Sequence, residues 1–365
     1  MSLHMQRSKR WQSLPVLRFL IAEWQLWQHE LTQPRYTLTS LPIRDTRLIP
    51  YALDMDSLLA LPFGTLDEHG VLYNRAAGKD LPSIHHPTSI AQYALAQWNT
   101  YLKGSGEHCK EAFLIQARWL VEHEMPLTDG AGGWPLPFPV CEYNTPPQWL
   151  SALTQGNAIS VLVRAYQVTG SKSFLESAQR AVRTFQQEIC DGGVAVSVGK
   201  DGIFFEEVAS YPAAHVLNGY LLALFGLYDY VAYTRDQDID QLIKRSLTTL
   251  HALLDEFDLG YWSCYDLRFH VPSPLFYQAL HVTLLAALAR FSGCEHCVAL
   301  AARWDSYQQK RSCLLRYFII SRWLRYRRGF QHVIERMTQK EGVAQSLVLR
   351  YRSFEKRGCK GQQAP

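Results

Sequence analysis

The chain has 365 residues, 47% hydrophobic and 19% charged, with a net charge of +4. That balance excludes a disordered chain, gives room for a large buried core, and does not suggest a nucleic-acid binder. Aromatic residues reach 12%, including Trp 10 and Tyr 19, a surplus that suits saccharide clefts as well as ordinary cores.

Trp11–Thr32 reads as one helix. Residues 34–84 carry turns and short alternating runs (Tyr51-Ala-Leu-Asp and Gly70-Val-Leu-Tyr), which predict an irregular arm with a few strands. From there on, apolar residues recur at helical spacing. Ser89–Gly104, Gln155–Gly170, Leu217–Thr234 and Gln278–Gly293 look alike, and three of the four end in glycine, a good helix terminator. A second helix fits after each of the first three, at Glu107–His123, Lys172–Glu188 and Ile239–Glu256. The repeat unit is therefore a helix pair, and stacked pairs bury the faces their neighbours offer. Closing the array gives a mainly α fold, an α/α toroid or incomplete α/α barrel. Three outer helices lead into glycine-punctuated loops at Gly132-Gly-Trp-Pro135, Asp191-Gly-Gly-Val-Ala-Val196 and Asp258-Leu-Gly-Tyr-Trp262. Each predicts a short β-hairpin at one rim, and the second runs straight into Glu206 and Glu207. The predicted division is residues 1–84 as helix and arm, 85–300 as toroid, and 301–365 as a basic helical segment.

In that last segment eight cations from Arg303 to Arg328 face Asp305 alone, with apolar residues interleaved. Such a helix fits an anionic membrane surface or a polyanion, or packs on the main body with a solvated basic face. No secretory leader or apolar run of membrane-spanning length is visible, so the expectation is a cytoplasmic protein with optional membrane association. A homodimer is compatible with the sequence. Of eight cysteines, Cys294-Glu-His-Cys297 has metal-like spacing, but a lone CxxC falls short of the four ligands of structural zinc, and no metal is expected.

Polar residues gather at the ends of apolar helices, where a cleft accommodates them better than a core does. Glu206 and Glu207 are adjacent, so in an extended segment their side chains point opposite ways. Gln155 and Asn157 open one inner helix and Asn218 another, where an amide can reach a sugar hydroxyl. Trp134 can stack on a sugar or fill the hub. Tyr265 and Arg268 can serve a site or clamp a loop. His281 follows Tyr277 by one turn on the same face, as a site residue or a satisfied core histidine.

These motifs resemble the D-glucuronyl C5-epimerase family. The likeness runs through Pro87-Thr-Ser-Ile-Ala-Gln-Tyr-Ala-Leu95, Gly132-Gly-Trp-Pro135, Leu150-Ser-Ala-Leu-Thr-Gln-Gly-Asn-Ala-Ile-Ser160, Glu206-Glu207, Val216-Leu-Asn-Gly219, Gly226-Leu-Tyr-Asp229, Tyr265-Asp-Leu-Arg268, Tyr277 and His281. The resemblance implies a toroid that inverts uronate C5 in an acidic, heparan-sulfate-like or exopolysaccharide chain, with no cofactor. It implies Glu207, Tyr265 and Tyr277 as catalytic residues and Arg268 as the natural partner of the sugar carboxylate. Glu206, Asn218, His281, Gln155, Asn157 and Trp134 complete the expected substrate contacts. The sequence departs from the family at Val208, where the pattern has an acid/base tyrosine. Tyr211, three residues on, is the nearest phenol in sequence to take its place. A uronate lyase and a silent saccharide-binding relative are the alternatives.

Overall fold

The computed structural model describes residues 35–41, 49–62, 64–75 and 83–327. The helix expected at Trp11–Thr32 lies outside them. Eight helices form four pairs: α1 (Pro87–Leu102) with α2 (Glu107–Glu122), α3 (Ala152–Thr169) with α4 (Lys172–Arg183), α5 (Leu217–Thr234) with α6 (Gln237–Leu253), and α7 (Leu275–Ser292) with α8 (Glu295–Gln309). Inner helices α1, α3, α5 and α7 pack on one another in chain order. This is the α/α toroid.

The two layers differ in how they bury side chains. Every residue of α5 from Leu217 to Leu227 is buried, so this helix is surrounded by protein. By contrast α4 buries Phe174, Ser177, Ala178, Ala181 and Val182, one stripe at helical spacing, as an outer helix does. Helix α3 ends at Gly170 and α7 at Gly293, both left-handed (φ 71° and 68°), as the sequence predicts. Helix α5 stops without glycine, on left-handed Arg235. Asp236 then caps α6 by accepting from the N–H groups of Asp238 and Ile239. Gly156 of α3 and Gly226 of α5 allow the closest approach in the hub, because a Cβ on either would meet the other helix's backbone.

Four two-stranded antiparallel ladders complete the fold. Strands β1 (Thr37–Leu38) and β2 (Leu53–Asp54) pair within the arm, as do β3 (Gly64–Leu66) and β4 (Leu72–Asn74). The arm ties the first inner helix to the last. Asn99 of α1 accepts from Tyr51 N–H and donates to the carbonyls of Tyr51 and Leu53. From α7, Thr283 and Arg290 donate to the carbonyls of Tyr36 and Thr39. Arg164 of α3 joins this end of the toroid. It donates to the carbonyls of Ile49 and Pro50 and pairs with buried Asp229 of α5 at 2.6 Å.

At the opposite rim, β5 (Met125–Pro126) pairs with β6 (Gly132–Gly133), and β7 (Ala195–Val198) with β8 (Gly202–Phe205). The loop after α6 closes through bridges from Asp258 to Ser263 and from Cys264 to Pro272. These are the three rim loops the sequence predicts. Helix α7 has the length and mean hydropathy (1.2) of a membrane span, contrary to the sequence expectation, but it is an inner helix with half of that window buried.

The basic segment is not one helix. Helix α8 runs to Gln309 and breaks at Lys310, where ψ is 118°. The described residues up to Lys310 form one compact unit, and the second begins at Arg311, ten residues beyond the predicted division. Residues 311–327 are helical. They carry five arginines and no acidic residue, with Leu315, Ile319, Trp323 and Tyr326 exposed. Arg303 belongs to α8, where it pairs with Asp258 at 3.2 Å.

Candidate active site

The second rim hairpin delivers the two glutamates. Glu206 N–H donates to the Val194 carbonyl, and Ala152 N–H of α3 donates to the Glu206 carbonyl. The segment is thereby held against β7 and the start of α3. The side chains then take different partners, as alternation along an extended segment requires. Glu206 is fully buried and accepts from the backbone N–H and Nδ1 of His215. His215 is left-handed (φ 53°) just before α5. Glu206 therefore fixes the turn that sets up α5, rather than facing substrate as expected.

Glu207 turns toward the first turn of α5. It accepts from Asn218 Nδ2 at 2.9 Å, and the Gly219 N–H and the Tyr265 hydroxyl favour its charged form from close by. Gly219 is needed there, since a Cβ would collide with the Glu207 side chain. Burial raises the Glu207 carboxyl from 4.5 to about 7, and the three donors only partly oppose that. Tyr265 comes from the third rim loop. That loop is stitched to α5, with Leu217 N–H donating to the Tyr265 carbonyl and Leu267 N–H to the Ala214 carbonyl. Tyr277, in the first turn of α7, meets Tyr265 edge-on at 5.0 Å between ring centroids. Burial, then the Glu207 charge, pushes Tyr277 up to about 12 and Tyr265 well above the usual phenol range. The Tyr265 hydroxyl partly lowers that of Tyr277 from close by. Both stay protonated near neutrality.

Thus Glu207, Tyr265 and Tyr277, from the second rim hairpin, the third rim loop and the start of α7, form one line of neighbouring groups with Asn218 at its end. All three keep a partly exposed surface. The remaining candidates are placed differently. Arg268 donates through Nη1 to the carbonyls of Tyr143 and Pro212 and lies beside the Tyr143 and Phe269 rings. Through Nη1 it ties the loop carrying Tyr143 to the one carrying Pro212. His281 is fully buried, with Nδ1 on the Ser263 hydroxyl and its ring near Trp304. Burial lowers it to about 3, so it is a neutral core residue in a network with Ser273 and Gln278. Gln155 is also fully buried, holding Trp134 N–H, the Gly132 carbonyl and Thr184. Trp134 is 2% exposed and donates to the Leu120 carbonyl, so it packs in the core. Asn157 is buried and accepts from the Tyr51 hydroxyl at 3.3 Å. Tyr211 is 93% exposed, whereas Val208 is 6% exposed in an apolar cluster with Leu136, Tyr143 and Trp149.

Sequence reasoning missed Tyr143. It donates to Asp266 Oδ2 at 2.8 Å, and burial and Asp266 raise it well above the phenol range, with Glu207 adding to the effect. It lies in the aperiodic, proline-rich loop 135–150, where no spacing marks it.

A half-buried carboxylate and two phenols thus stand together at the rim of an α/α toroid. Residues 128–306 match the family model for the D-glucuronyl C5-epimerase C-terminus, and through them the chain belongs to that family. It is 33% identical over 224 residues to a Caenorhabditis elegans D-glucuronyl C5-epimerase, covering 55% of this chain and 35% of that protein. It therefore spans about a third of that relative's length. An uncharacterised Methanocaldococcus jannaschii protein is 26% identical over 248 residues, covering 64% of this chain and 80% of that one. Among solved structures, a family 76 glycoside hydrolase from Bacteroides thetaiotaomicron aligns with TM-score 0.43 at 15% identity, covering 64% of this chain and 50% of that one. A polysaccharide lyase aligns with TM-score 0.40 at 14% identity, covering 61% and 59%.

Proposed function

We propose that the protein inverts C5 of uronic acid residues in an acidic polysaccharide. The observation that carries this is the convergence of Glu207, Tyr265 and Tyr277 in one line at the rim. Glu207, raised to about 7, is half ionised near neutrality, which suits a general base. It takes the C5 proton. A phenol, protonated and therefore a donor, returns one to the opposite face. We assign that step to Tyr277. The proton taken by Glu207 then passes through the Tyr265 hydroxyl to the Tyr277 oxygen, and the site is reset without net gain or loss. The carbanion's charge spreads onto the sugar carboxylate, so donors near that group speed the step. The helix at 311–327, basic with an exposed apolar face, would hold the enzyme on an anionic membrane surface near such a polymer.

The test is exchange. Incubation with glucuronate polymers in deuterated water should place deuterium at C5, and the absence of label in glucuronate- and mannuronate-type chains alike would end the proposal. Two observations favour a second reading, a saccharide-binding relative without turnover. Val208 fills the place of the family tyrosine with buried hydrocarbon, and Arg268 is engaged with carbonyls. Binding of the same polymers without any label supports that reading. An unsaturated uronate product would instead indicate a lyase.

A further inference from the structure

The sequence offers only two ligands at Cys294 and Cys297, and the fold adds a third. His251, in the last turn of α6, brings a ring nitrogen to a position where it and both cysteine sulfurs lie within 4.8 Å of one another. Both cysteines are buried, and the histidine is exposed. Cys294 is the N-cap of α8, and its sulfur accepts from Cys297 N–H at 3.0 Å. That bond and the helix N-terminus both favour negative charge on sulfur. His296 of α8 pairs with Asp255 just after α6 at 3.2 Å, a second tie between the same segments. In the structure the two cysteines are joined as a disulfide.

We propose that Cys294, Cys297 and His251 form a redox-gated site for a thiophilic divalent cation of the zinc type. A dithiol reductant opens the disulfide, giving two thiols while the reductant becomes a cyclic disulfide. The cation then takes two thiolates and the imidazole, with release of the two thiol protons. Two sulfurs and one nitrogen select zinc-like ions over magnesium or calcium. Water completes the tetrahedron, since three protein ligands leave one position open. The ion staples α6 to α8; exchange with a cyclic disulfide re-forms the Cys294–Cys297 bond, the disulfide takes two electrons and two protons to become a dithiol, and the ion is released. The site stands apart from Glu207, Tyr265 and Tyr277 in residue composition, and its test reads no turnover.

Cobalt(II) is the probe, titrated into the full chain under nitrogen after reduction and desalting. The proposal expects thiolate-to-cobalt charge transfer saturating at one ion per chain, displaced by zinc and absent in the oxidised protein. The double variant Cys294→Ser/Cys297→Ser should lose the band, and His251→Ala should weaken binding at least tenfold. Cys141→Ser/Cys190→Ser, which removes exposed thiols, should leave the band intact. No band in the reduced chain, a band that survives loss of Cys294 and Cys297, or unchanged affinity in His251→Ala overturns the proposal.

Discussion

Glu207→Gln offers the most direct view of this desolvated carboxylate. Burial raises the Glu207 pKa from 4.5 to about 7, so folding favours its protonated form. The favourable contribution is fully present below 4.5 and is lost as pH rises through 7. Between pH 4 and pH 8, that one group lowers the stability of the native protein by about 3 kcal/mol, from roughly 1.4 kcal/mol per unit. Glutamine keeps the shape and an acceptor for Asn218 but does not titrate. The variant should therefore gain on the native protein by about 3 kcal/mol across that range, whatever fixed offset its altered hydrogen bonds introduce. Urea unfolding followed by tryptophan fluorescence at several pH values measures the difference. Parallel stability profiles for the two proteins would falsify the claim that Glu207 titrates in a desolvated seat. C5 exchange in the native protein should rise through about pH 7 on the same group and be lost in Glu207→Gln.

Tyr265→Phe and Tyr277→Phe should each lower C5 deuterium exchange by about 10²–10⁴ with unchanged circular dichroism, and undiminished exchange in both removes the phenol assignment. Arg164→Leu should destabilise by roughly 3–5 kcal/mol, because Asp229 is left charged and buried and the arm loses its anchor; urea unfolding within 1 kcal/mol of native would contradict this. Val208→Tyr should lose about 1–3 kcal/mol by overpacking the cluster around Tyr143. A rise in exchange there would mark the native chain as impaired at one sugar face, and no rise would favour the Glu207–Tyr265–Tyr277 line as sufficient.

The sequence by itself determined the toroid. Helix pairs are written in local terms, as apolar spacing, glycine stops and punctuated loops, and Leu217–Thr234 was legible to the residue. That Glu207, Tyr265 and Tyr277 come together was expected from family order, not from spacing, since nothing local separates a rim tyrosine from a core one. Which polar groups stay at the rim and which are taken up by packing was decided by the tertiary structure alone. Gln155, His281, Glu206 and Arg268 sit at helix ends or loops like their neighbours, yet the first three met buried partners and Arg268 met loop carbonyls. The direction of the phenol pKa shifts was likewise beyond the sequence, because it depends on how far water is excluded and on a carboxylate some 60 residues away in the chain. Hydrogen-bond satisfaction and desolvation are properties of what packs nearby, and for this rim the neighbours come from segments that only the closed ring brings together.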